Sequence, residues 1–123
     1  MQHAIDWFEI SVSDLVRAQR FYEVTLGVTL TPSDYARVPA AVFPGGDGKT
    51  SVRGGLIQDP KRKPGVGGSI VYLNATGKLD ACLERVAPAG GDVVVPKTDI
   101  GEPGFIAVLR DTEGNLVGLH SER

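Results

Sequence analysis

The chain has 123 residues, a formal net charge of -2, 41% hydrophobic and 23% charged side chains. That is one domain's worth, too short for two independent cores, with a composition that is neither disordered nor fibrous. The near-neutral balance argues against a surface that tracks phosphates, so no nucleic-acid partner is expected.

From His3 to Val12 the residues alternate, with Ala4, Asp6, Phe8, Ile10 and Val12 on one face and His3, Ile5, Trp7, Glu9 and Ser11 on the other. The Phe8, Ile10, Val12 end is the core face. Asp14 is placed to cap a helix, and Arg17 three residues on means no full capping box. Leu15, Ala18, Phe21, Tyr22, Thr25 and Leu26 then form one apolar stripe closed by Gly27; Tyr22 is read as core with its hydroxyl reaching the rim. Extended runs are expected at Thr29 to Thr31, Ala40 to Phe43 and Ser51 to Gln58, separated by turns at Pro32-Ser33-Asp34 and Pro44-Gly45-Gly46-Asp47-Gly48.

After a Gly/Pro-rich connector, in which Lys61-Arg62-Lys63 reads as a solvated loop, the pattern restarts. Ser69 to Asn74 is a strand, and Leu79, Cys82, Leu83 and Val86 mark a helix ended by Pro88 and Gly90-Gly91. Val93 to Pro96 and Phe105 to Leu109 are strands, and the Asp111 to Asn115 turn leads into a last one, Leu116 to His120.

Each half thus reads strand, helix, strand, strand, strand. The expectation is a single α+β domain, residues 1–123, made of two βαβββ modules (1–60 and 67–123). They join edge to edge into an open, curved, eight-stranded mixed sheet with helices on the outer face. A ferredoxin-like sandwich is the alternative, but eight strands with two helices is too strand-rich for it.

The run from Val12 to Gly27, the restart after Gly68, the Ala89-Gly90-Gly91 stretch and the turn from Arg110 to Asn115 resemble the vicinal oxygen chelate superfamily. That group holds glyoxalase I, extradiol dioxygenases, methylmalonyl-CoA epimerase and the bleomycin and fosfomycin resistance proteins. The opening Trp7-Phe8-Glu9-Ile10 and the stretch from Pro96 to Ser121 are similar to its subgroup of predicted enzymes related to lactoylglutathione lyase. In metal-dependent relatives, four side chains, mostly His and Glu, hold a divalent ion. The resemblance sets those positions at Trp7, between Leu56 and Gln58, at Ser69 and at Gly118. An indole offers only an N–H donor and a glycine offers no side chain, so no metal cofactor is expected; the alternative is a divalent ion such as Zn, Ni, Mn or Fe.

If Trp7 faces the cleft, period 2 brings Ile5, Glu9 and Ser11 with it. The same reasoning brings Leu116 and His120 with Gly118, and Val71 and Leu73 with Ser69. The leading expectation is metal-independent binding of a small hydrophobic or aromatic molecule, with Trp7, Ser69, Val71 and Gly118 as ligand-binding residues and Trp7 as a stacking platform. The alternative is a lyase or isomerase acting on an α-oxo or enolisable substrate, with Glu9 and His120 as the catalytic acid/base pair. Two bland readings stand beside it: a structural Glu9–His120 ion pair, or a cleft filled by its own side chains. The loop Thr98 to Gly104 is expected at the cleft mouth, able to move on binding.

His3 with Asp6 and Glu122 is a weaker metal candidate, Cys82 falls on a buried stripe, and Gly65-Val66-Gly67-Gly68 precedes a strand, not the helix a phosphate cradle needs. No apolar run approaches the roughly 20 residues of a membrane span, the start carries no leader pattern, and one cysteine makes no intrachain disulfide. The expectation is a cytoplasmic protein with a small-molecule ligand, no membrane partner and a homodimeric state.

Overall fold

The computed structural model describes residues 4–5, 7–45 and 52–123. His3 and Asp6, and Gly46, Asp47, Gly48 and Ser51 of the expected turn and strand, lie outside the described residues. The elements are β1 (Trp7–Ser11), α1 (Leu15–Leu26), β2 (Thr31–Ser33), β3 (Ala40–Val42), β4 (Arg53–Ile57), β5 (Tyr72–Asn74), α2 (Leu79–Val86), β6 (Asp92–Asp99), β7 (Phe105–Arg110) and β8 (Leu116–Ser121).

The strands form two four-stranded sheets of matching order, β1-β4-β3-β2 and β5-β8-β7-β6. In each, the first strand of the module pairs parallel with the last and the remaining pairs are antiparallel. This is the expected α+β pair of βαβββ modules. The modules meet through side chains and loops, since β1 and β5 share no ladder and each remains the edge of its own sheet.

Local chemistry sets the helix ends. The Asp14 carboxylate accepts from the Arg17 N–H at 3.1 Å, and Gly27, at φ +68°, donates its N–H to the Glu23 carbonyl in a left-handed cap. β2 starts two residues later than the sequence pattern suggests. Leu30 first turns into the core, with its N–H held by the Glu23 carboxylate at 2.9 Å, and only then does the chain extend. β5 likewise starts late, at Tyr72, after Gly67 and Gly68 at positive φ.

α1 lies on β3 and β4, α2 on β6 and β8, and the two helices touch each other. One cluster of buried residues therefore draws on both modules: Ile10, Phe21, Tyr22 and Leu56 from the first, Leu73, Val86, Leu109 and Leu119 from the second. Burying each large side chain is worth roughly 1.5–3 kcal/mol. Close approach is enforced by glycine at Gly54, where a Cβ would fall 2.4 Å from the Phe8 carbonyl oxygen and the Phe8 ring.

A polar clasp completes the join. The turn between β7 and β8 puts Asp111, Glu113 and Asn115 against the first module. The Tyr22 hydroxyl donates to Asp111 at 2.6 Å, and the Asn115 amide donates to the Ser11 carbonyl at 2.8 Å and accepts from the Gly65 N–H at 2.9 Å. Tyr22 is therefore core throughout; its hydroxyl is not at the rim. The Glu113 carboxylate, 0% exposed, accepts from the Ser13 and Asp14 N–H groups, twice from Arg17, and from Thr112. Burial works to raise its pKa, but hydrogen bonds from Arg17, Asp14, Thr112 and Ser13 outweigh it and hold it at about 2, against an ordinary 4.5.

Two outcomes follow. Tyr22→Phe leaves the Asp111 carboxylate one donor short in a site 4% exposed, and is expected to cost about 1–3 kcal/mol in urea unfolding. The depressed Glu113 pKa means the unfolded chain takes up its proton first. Its contribution is complete above the unfolded value near 4.5 and is lost as pH falls toward about 2; Glu113→Gln should flatten that part of the stability profile.

Candidate functional site

The helices cover one face of each sheet, and the other face is free. On the first module's free face β1 presents Trp7 and Glu9, as period 2 requires. The Trp7 ring meets the Tyr35 ring edge-on, with centroids 5.3 Å apart. Glu9 sits between them: its Oε2 accepts from the Tyr35 hydroxyl at 2.9 Å and from Trp7 Nε1 at 3.3 Å, and its Oε1 from Arg62 at 2.8 Å. Arg62 also reaches Asp59, so the basic run is not simply a solvated loop: it folds back to neutralise the carboxylate beside Trp7.

Partial burial works to raise the Glu9 pKa, but hydrogen bonds from Tyr35, Trp7 and Arg62, with the Arg62 charge, bring it below the ordinary carboxylate value. Tyr35 is pushed up to about 12, by burial first and then by the Glu9 carboxylate that accepts its proton. Gly55, paired with Glu9 across β1 and β4, leaves the room: a Cβ there would lie 3.4 Å from the Tyr35 hydroxyl and 2.9 Å from the Ala41 carbonyl oxygen.

The second module corrects the expected phase of one strand. Tyr72 pairs with Gly118 and Asn74 with His120, so these four share the free face. Leu73 is buried in the core cluster and Val71 packs against it, while Ser69 lies before the strand; the Ser69, Val71 and Leu73 side chains therefore do not share the face of Gly118, and these residues line a groove along the β5 edge instead. The Tyr72 ring instead covers Gly118, where a Cβ would meet it at 2.2 Å. Glycine under a tyrosine thus recurs on both free faces, Gly55 beneath Tyr35 and Gly118 beneath Tyr72.

Glu9 and His120 are each engaged elsewhere and do not pair. His120 Nε2 lies 2.6 Å from the Pro103 carbonyl, an acceptor, so that nitrogen carries the proton. The contact ties β8 to the loop before β7. Arg123 bonds Asp99 and the Gly101 carbonyl, so the Thr98 to Gly104 loop is held to the C-terminal residues at two points. Cys82 is buried on α2, as its place in the stripe implies.

The four positions where metal-using relatives carry ligands do not suit a divalent ion. Trp7 offers only a donor, Tyr72 occupies the space over Gly118, and Ser69 lies outside the strand. At the remaining position Leu56 is core, and the Gln58 side-chain oxygen accepts from the Leu15 N–H at 2.8 Å. Among the described residues no three His, Cys, Asp or Glu side chains are grouped to hold a metal. Tyr35, Tyr72 and Arg62 are the residues the sequence pattern missed. Tyr72 had one readable signal, an aromatic on the strand that pairs with a glycine-bearing one; Tyr35 and Arg62 reach Glu9 from loops.

The chain belongs to the Glyoxalase/Bleomycin resistance protein/Dioxygenase superfamily, whose family model matches residues 4–119. It is similar in fold to a glyoxalase/bleomycin resistance protein from Albidiferax ferrireducens, at 19% identity and a TM-score of 0.76 over 98% of this chain and 100% of that one. It is similar also to TnmS3, an antibiotic binding protein from a Streptomyces species, at 26% identity and 0.69 over 98% and 97%. A 45-residue stretch, 37% of this chain, is 40% identical to CFP32 of Mycobacterium bovis, whose name marks it as a proposed glyoxylase; that stretch spans 17% of the relative's length. No helix among the described residues is long and apolar enough to cross a membrane.

Removing the Glu9 charge tests the cluster directly. Glu9→Gln is expected to bring Tyr35 ionisation down from about 12 toward the ordinary 10, read as tyrosinate absorbance in an alkaline titration. An unchanged titration would mean that Glu9 does not hold the phenol.

Proposed function

We propose that this protein binds a small hydrophobic or aromatic molecule on its free sheet face, without a metal ion, and that Trp7 supplies the stacking surface. The observation that carries this reading is the exchange of side chains at the family's ligand positions. An indole edge-packed on Tyr35 stands at one and a tyrosine ring over glycine at another, each ring about two-fifths exposed. Exposed aromatic rings on a rigid strand offer contact area with little conformational entropy to lose. The antibiotic binding named for TnmS3 supports it, as does the poor fit of a divalent ion to a position whose space the Tyr72 ring fills.

Glu9 serves in this reading as an ionised, pre-paired acceptor that fixes Trp7 and Tyr35. The acid/base alternative, a lyase or isomerase of the glyoxalase type, has less support, because Glu9 is held ionised by three donors and His120 Nε2 is engaged with a backbone carbonyl. Membership of the subgroup related to lactoylglutathione lyase belongs to that alternative. A homodimer belongs to the main reading.

Trp7 is the chain's single tryptophan, so its emission reports on this face alone. Titration with 2-naphthol is expected to quench it saturably, equally with and without EDTA, and Tyr35→Ala should weaken the apparent affinity about fivefold or more. Loss of quenching with EDTA, or stoichiometric metal in protein purified without chelators, would overturn the metal-free reading.

A further inference from the structure

We infer that the seam between the two modules is a further binding site, which borders the aromatic face at Tyr72 and is shaped for an amphipathic monoanion: an apolar chain or ring that carries one carboxylate. The seam holds a groove of about 790 Å³ that runs along the β5 edge and includes Ile5, Phe8, Val52, Ile70 and Tyr72. It adjoins a smaller lobe of about 230 Å³ with Leu26, Val28, Phe43 and Lys78 in its wall. The two share Phe8, Pro44, Val52, Leu73 and Asn74, so one molecule can extend from one into the other. Groove volumes of roughly 300–1,000 Å³ suit small organic ligands.

The charge of the occupant follows from the lining. Among the described residues, both cations of the smaller lobe, Arg53 and Lys78, lack a salt-bridge partner and no Asp or Glu lines either lobe, in a chain whose formal charge is -2. Each has donors to give. Lys78 Nζ donates one N–H to the Leu26 carbonyl at 2.8 Å, leaving two. The buried Arg53 Nε has no hydrogen-bond partner among the described residues. Asn74 uses its side-chain oxygen on the Thr76 N–H, leaving the amide N–H groups as further donors.

Three donor side chains, with no facing acid among the described residues, beside an apolar groove match a carboxylate with an apolar body. A neutral apolar molecule would leave the cations without a counter-charge, at a cost that a carboxylate removes. The edge strands make the site possible: because β1 and β5 do not pair, the space between them is lined by side chains and is not closed by a ladder.

The test uses the full chain with octanoate as probe and octanamide as its neutral match. Octanoate has no flat ring to stack on Trp7, so this site and the aromatic face are read separately. Octanoate is expected to shift the amide NMR signals of Ile70 to Asn74 and of Lys78 and to bind about fivefold or more tightly than octanamide. Lys78→Met and Arg53→Met should each remove most of that preference. Ile70→Glu, an exposed rim change that leaves the core intact, should weaken octanoate by a similar factor, while Trp7→Phe should leave it within about twofold. Equal binding of acid and amide, shifts confined to the Trp7 and Tyr35 region, or an unchanged preference in both Met variants would overturn the proposal. None of those results would bear on naphthol quenching at Trp7.

Discussion

The join between the modules rests on one buried polar contact set, the turn between β7 and β8 seated on the first helix. Each sheet is covered by its own helix, and the two helices also touch each other. Hydrophobic burial drives the two halves together without specifying their angle. Asp111, Glu113 and Asn115 supply that angle, because their hydrogen bonds to Tyr22, Arg17, the α1 N-terminus and the Ser11 carbonyl are satisfied in one arrangement only. Leaving such groups unmatched in a buried setting is costly, so the clasp selects against sliding of one module over the other.

From that fixed angle the two free faces inherit a defined relation, and their chemistry is a variation within the family. Where metal-using relatives need lone pairs, this chain has aromatic rings and the glycines that make room for them. Glu9, the one acidic side chain at the centre of the aromatic cluster, is surrounded by donors, which turns it from a prospective base into a fixed brace for Trp7 and Tyr35. The seam has the opposite character, with cations that face no acid among the described residues.

Much of the architecture was legible in the sequence because it is written in local periods. The 2-residue alternation around Phe8, Ile10 and Val12, the Asp14 cap, the helix stripes and the Gly27 cap all depend on neighbours within a few positions. What could not be read depends on partners far along the chain. Glu9 finds Tyr35 and Arg62 through loop geometry, and no local pattern connects a strand carboxylate to a basic residue some fifty positions later. The β5 phase failed for a different reason. Its apolar run from Ile70 to Leu73 has no polar alternation to fix the inward side, and only three residues become strand, so a one-residue error exchanged Val71 and Leu73 for Tyr72 and Asn74. Ser69 precedes the strand and lines the groove along the β5 edge.

The outer edge of the second sheet carries a further consequence. β6 is exposed along its whole length and holds three adjacent valines, yet Pro96 interrupts it, Lys97 follows, and its register against β7 slips twice. A strand approaching that edge would meet a missing amide hydrogen, a charge and a skewed backbone, and could not zip along it. That side of the molecule therefore offers no straight template for open-ended stacking by strand addition.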